Sequence, residues 1–189
     1  MKQLVEDDFM QFKRGINPTL LFECFEAIIV LIRQKSDKVD DLIDNMALVY
    51  RYILSRKNKQ LVLIDEELHT LEELVQLFNY LPFRNVTLTK EIESSFLVVP
   101  GSLLSLVESI IRSTIGASGL PLDIDLLESE NHLTLSYTKS DKIISGFKST
   151  ALTDIDALYA IYSHDELLIE EMGKKRLIRI PKLITKPNL

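Results

Sequence analysis

Apolar residues recur at helical spacing through the first eighty positions and alternate in strand-like fashion through much of the rest. Val5, Phe9, Phe12 and Ile16 are separated by four, three and four residues, the stripe of a helix that packs in coiled-coil manner. Gly15 and Pro18 interrupt it, because proline removes a backbone donor and disfavours helical geometry at Asn17. The stripe resumes at Leu21, Cys24, Phe25, Ile28 and Ile32, which assigns Glu23, Glu26 and Arg33 to the outer face of a first bundle helix. A polar turn at 34–38 offers Ser36 or Asp37 as the cap of the next helix. Val39, Leu42, Ile43, Met46, Val49, Tyr50 and Ile53 then give the most sustained helical repeat in the chain, closed by the polar, basic stretch 56–60. Leu68, Leu71, Val75 and Phe78 predict a third helix, with Asp65 as its N-cap.

The helical period stops at Pro82, and 81–85 is the expected boundary between a helical unit over 1–82 and a second unit over 83–189. Val86, Leu88 and Ile92 predict a strand, and 96–99 a short extended piece before Pro100. Leu103, Leu106, Val107, Ile110 and Ile111 form one face of a helix that ends near Gly116 and Gly119. The stretches 122–127 and 133–137 alternate as a hairpin around the polar turn 128–131. Leu152, Ile155, Leu158, Tyr159 and Tyr162 mark another helix, and 167–171 with 176–181 a final hairpin turned at Gly173 and Lys174. The stretch 182–189 is expected to be a tail. Helices first and strands interspersed with helices second predict an α+β chain, and two helices that cannot cover their own apolar area predict pairing with a second copy into a four-helix bundle.

Composition narrows the chemistry. In 189 residues, 22 Lys and Arg are interspersed among 28 Asp and Glu, for a net charge of -6, which argues against broad attraction to nucleic acid or an anionic membrane. The basic cluster Lys174, Lys175, Arg176 and Arg179 reads as a solvated hairpin tip. The longest apolar run, 27–32, is far short of the roughly 20 residues that span a bilayer, and no signal peptide precedes it. Cys24 is the sole cysteine, so it has no internal disulfide partner and suits a reducing cytosol. No His, Cys or carboxylate set has metal-ligand spacing, and His69, His132 and His164 lack a flanking base.

Several ordered segments carry a family resemblance. Ile16, Asn17, Pro18, Thr19, Leu20, Leu21, Phe22 and Glu23 resemble the Asn-Pro-His-Phe-Leu-Phe-Asn phosphoacceptor motif of the internal-region sensor histidine kinases, two-component kinases often paired with LytTR-type response regulators. The run 49–55 resembles that family's Leu-Leu-Arg-Tyr-Ser-Leu-Ser, and Glu66, Glu67 and Leu68 its Glu-Glu-Leu. Ser105, Leu106, Val107, Glu108, Ser109, Ile110, Ile111 and Arg112 resemble its Pro-Leu-Val-Glu-Asn-Ala-Ile-Lys. The stretch 151–162 resembles the helix that follows the family's ATP lid.

The resemblance, from about Phe12 to Leu183, implies a dimerising helical hairpin followed by a histidine-kinase ATPase-type α/β sandwich. It also implies damage where chemistry would be done. Thr19 stands where the phosphorylated histidine belongs, and a hydroxyl offers no imidazole nitrogen. Ser109 stands where an asparagine would hold magnesium, although Glu108 is kept and has the carboxylate of a base. Asp141 is a weak candidate for adenine, and Gly146 is the only glycine in the lid stretch, where phosphate cradles need several. The expectation is a cytoplasmic pseudokinase that has no cofactor and acts as a homodimeric interaction module for a response regulator or sensor kinase. Two alternatives stay open. One is an active Mg-ATP-dependent kinase or phosphotransferase using Glu108 and Ser109, with His69 as acceptor. The other is a regulator that heterodimerises with an active kinase.

Overall fold

The computed structural model describes residues 18–56, 59–82, 84–114, 121–140 and 149–183. The helix expected over 5–16 lies outside them. Two helices come first, α1 (Pro18–Arg33) and α2 (Val39–Ser55). α1 ends where Lys35 takes a left-handed φ of 52° and the Ser36 N–H reaches back 3.0 Å to the Leu31 carbonyl, which satisfies one of the last-turn acceptors. Neither Ser36 nor Asp37 caps α2. Its N-cap is Lys38, without a side-chain cap, and the Ser36 hydroxyl instead accepts the Lys38 N–H at 3.3 Å, ahead of the helix.

The inward face of α1 is Leu20, Cys24 and Ala27, and that of α2 is Leu42, Asn45 and Val49. The expected stripe on α1 is met only in part: Cys24 is fully buried and Ile28 packs against the core. Phe25 and Ile32, assigned to the core by spacing, are exposed together with Phe22 and Ile29. Both sides of α1 are apolar, so spacing alone does not say which side meets the rest of the chain.

A two-residue strand, β1 (Val62–Leu63), runs directly into α3 (Ile64–Tyr80). Asp65 is not its cap. Leu63 occupies that position in extended conformation, and the Ile64 N–H is satisfied by the Phe96 carbonyl at 2.9 Å. β1 pairs antiparallel with β3 (Leu97–Val98), and Leu97 also exchanges backbone bonds with Leu183. The expected tail is thus part of the fold as far as Leu183, and 184–189 lie outside the described residues. α3 stops at Leu81, extended at ψ 147° as the residue before Pro82 must be. Across that stop the Asn79 amide exchanges two bonds with the backbone of Val86, at 2.8 and 2.9 Å, and so ties α3 to β2 (Val86–Glu91).

The remaining elements are α4 (Ser102–Ser113), β4 (Leu122–Glu128), β5 (His132–Thr138), α5 (Ser149–Tyr159), β6 (Leu168–Met172) and β7 (Lys175–Pro181). The five-stranded sheet has the order β2-β4-β5-β7-β6, parallel between β2 and β4 and antiparallel elsewhere. Alternation decides its faces. Leu122, Ile124 and Leu126, Leu133, Leu135 and Tyr137, and Ile178 and Ile180 are buried, whereas Asp123, Leu127 and Thr138 are exposed. α3 and α4 add Leu71, Leu74, Phe78, Leu103, Leu106 and Ile110 to the same core, each fully buried aliphatic group stabilising by about 2 kcal/mol. Gly173, with φ 62°, turns the β6–β7 hairpin. The basic tip expected beside it is only partly solvated: Arg176 is buried against Glu171 and Tyr137, and Arg179 pairs with Glu170.

Candidate functional site

Thr19 is exposed in the first turn of α1, and Glu108 and Ser109 are half-buried on α4. Asp141 lies outside the described residues. The helices carrying Thr19 and Glu108 meet through Arg112. Four residues after Thr19, Glu23 receives the Arg112 guanidinium in a fork, Nη1 to Oε1 at 3.3 Å and Nη2 to Oε2 at 3.0 Å. Arg112 Nε donates to Glu108 Oε1 at 2.8 Å, one turn back along α4. Its guanidinium also lies 5.4 Å from the centre of the Phe78 ring on α3. Burial alone would lower the pKa of Arg112, but the bonds to Glu23 and Glu108 outweigh it and hold the guanidinium above its ordinary value. The carboxylate that sequence offered as a base is therefore engaged by a cation.

Helical spacing puts Glu23 on the outer face of α1, and in the structure it reaches α4 instead. Beside it the Cys24 thiol is fully buried, and desolvation with the Glu23 charge pushes its pKa up to about 12. Tyr50 on α2 is raised by burial first and then by the neighbouring Cys24 and Glu108. Arg84, half-buried, donates to the Ile111 carbonyl at 3.3 Å, and burial lowers its pKa.

A second polar cluster holds the start of α4. The Glu67 side chain is wholly buried and accepts the N–H groups of Gly101 at 2.8 Å and Leu103 at 3.1 Å, as well as the Tyr52 hydroxyl. It does the work of an N-cap from a different helix. Burial raises the pKa of Glu67 against the opposing pull of these bonds and of Arg56, and raises Tyr52 as well. Tyr159 of α5 completes the cluster, its hydroxyl 3.2 Å from Ser102 Oγ and 3.4 Å from the Val99 N–H; burial pushes it up to about 12. In the sequence Glu67 stands out only within the Glu-Glu-Leu resemblance, and nothing marks Arg112 or Tyr52 apart from their neighbours. A buried carboxylate leaves no local signal, because the donors it serves lie on other elements, fifteen to thirty-six residues away.

His69 and His164 are exposed and His132 is half-buried at the start of β5. Among the described residues no group of three or more His, Cys, Asp and Glu residues is placed to hold a metal ion. No described helix is long and apolar enough to cross a membrane.

Residues 8–85 match the family model for histidine kinases. The N-terminal part of the chain is histidine-kinase-like. That match contains Thr19, Glu23 and Glu67 but ends before α4, so Glu108, Ser109 and Arg112 lie beyond it. No curated protein matches the chain. Among solved structures, the Acinetobacter baumannii histidine kinase AdeS is similar at 12% identity and a TM-score of 0.43, over 83% of this chain and 83% of that one. A bacterial phosphotransferase is similar at 9% identity and a TM-score of 0.42, over 85% of this chain and 87% of its own. The mycobacterial sensor histidine kinase MprB is similar at 10% identity and a TM-score of 0.41, over 65% of this chain and 97% of its own.

Proposed function

We propose that this chain is the core of a two-component signalling protein of the internal-region histidine kinase type that has kept the scaffold and lost phosphotransfer. The observation that carries the reading is Thr19, an exposed hydroxyl at the phosphoacceptor position of a histidine-kinase-like segment. Engagement of Glu108 by Arg112 supports it, as do Ser109 and the glycine-poor lid. In this reading 1–82 is the dimerisation unit and 83–189 a degenerate ATPase-like unit without bound nucleotide. The outward face of α1, Phe22, Phe25, Ile29 and Ile32 at spacings of three, four and three, joins Ile43 and Leu54 of α2 in a homodimeric four-helix bundle. The partner is a response regulator, of the LytTR type in the family's usual pairing, or a sensor kinase. The sole, buried cysteine fits work in a reducing cytosol.

Calorimetric titration with ATP and magnesium, repeated with chelator, tests the proposal. No heat of binding at millimolar nucleotide is expected. Magnesium-dependent binding, followed by an acid-labile phosphoryl group on the protein, would restore an active kinase.

A further inference from the structure

Arg112 is more than an ion-pair partner on α4, because it grips a helix otherwise remote in sequence. Glu23, Arg112 and Glu108 retain 34%, 24% and 19% side-chain exposure, so water screens them less than it would a surface pair. The fork on Glu23 uses two parallel N–H donors, and the Nε bond to Glu108 with the Phe78 ring behind fixes the plane of the guanidinium. Glu23 lies on the flank of α1, between inward Cys24 and outward Phe22. A bond at that flank opposes rotation of the helix about its own axis, which the apolar residues on both of its sides do little to resist.

We infer that Arg112 is a latch that fixes the rotation of α1 against α4, and with it the direction in which Phe22, Phe25, Ile29 and Ile32 face. This deepens the dimer reading, on which only the use of that face rests; the latch itself is a contact within one chain and is tested without nucleotide or partner. When the latch opens, α1 turns or lifts and the Cys24 thiol, fully buried beside Glu23, reaches solvent. As the chain has a single cysteine, thiol labelling reads that motion alone.

The test is the rate at which 5,5′-dithiobis(2-nitrobenzoic acid) labels Cys24 in the parent, R112M and E23Q, with urea unfolding of each measured in parallel. Electrostatics and opening predict opposite results for R112M. The Arg112 charge lowers the Cys24 pKa, so its removal should slow labelling if the helix stays in place. Loss of the latch should accelerate it about tenfold. Acceleration in both variants, beyond what lost global stability accounts for, supports the latch. Slower or unchanged labelling in R112M overturns it, as does acceleration that merely follows the unfolding midpoint. Should R112M fail to fold, R112K keeps the charge and loses the fork, and unchanged labelling in R112K likewise overturns the latch.

Discussion

The Glu67 carboxylate accepts the Gly101 N–H at 2.8 Å, so the start of α4 is held by a residue of α3 thirty-four positions earlier. Because Leu103 and Tyr52 share the same carboxylate, Glu67→Ala strands three donors in a buried site. The expected loss is about 3 kcal/mol, read as a lower urea midpoint with an unchanged slope. A loss below about 1 kcal/mol would mean that water replaces the carboxylate.

Gly101 itself has a φ of 73°, and the Arg56 guanidinium sits where a β-carbon would go, 0.9 Å from Nη1. The end of a long side chain moves at little cost, whereas a left-handed backbone strains any residue with a β-carbon. Gly101→Ala should therefore cost about 1–2 kcal/mol, and nearly the same in an Arg56→Ala background. If the cost disappeared in the double variant, collision with Arg56 would be its source.

Glu128 gathers the N–H groups of Glu93 at 2.7 Å and Ser94 at 2.9 Å with the Lys182 ammonium and the Ser94 hydroxyl. The Lys182 bond first, and then those from Ser94 and Glu93, lower its pKa from 4.5 to about 2. A folded-state pKa below the unfolded one stabilises above the unfolded value, and the contribution fades as pH falls from about 4.5 through about 2. In urea titrations across that range, the parent should lose its advantage over Glu128→Gln as the acid limit is approached. A constant difference between the two would refute the assignment.

The outward stripe of α1 gives a prediction about assembly. Phe25→Glu places a charge in the centre of the proposed bundle while leaving the chain's own core untouched, since Phe25 is 45% exposed. Light scattering should report a dimer for the parent and a monomer for the variant, with equal helix content by circular dichroism. A parent that is monomeric at tens of micromolar would remove the homodimer.

How much was legible in advance varied with the kind of residue. The hairpin β4–β5, the strand β7 and the inward face of α4 follow from alternation and helical spacing, because each element there has one apolar side, whereas β6 buries none of its residues and is recognised by the turn at Gly173. α1 is apolar on two sides, and for that reason spacing puts Cys24 and Ile28 on the inward side correctly but Phe25 and Ile32 with them wrongly. The cap expected at Asp65 is not used, since a backbone carbonyl from Phe96 satisfies the start of α3, and at α2 the Ser36 hydroxyl accepts the Lys38 N–H ahead of the helix.

For the candidate site, sequence alone determined what Thr19, Glu108 and Ser109 are, and hence which atoms are there to react. Those identities are covalent facts that no packing alters. Only the tertiary structure decided that Arg112, already one turn from Glu108, also reaches Glu23 on α1, and that Glu67 caps α4 from another helix. The Glu67 cap and the Glu23 pairing join groups some thirty to ninety residues apart, and only the Glu108–Arg112 pair, one turn apart on α4, lies within reach of helical spacing. Hydrophobic periodicity records which side of an element is buried, but not which polar groups meet once the elements pack.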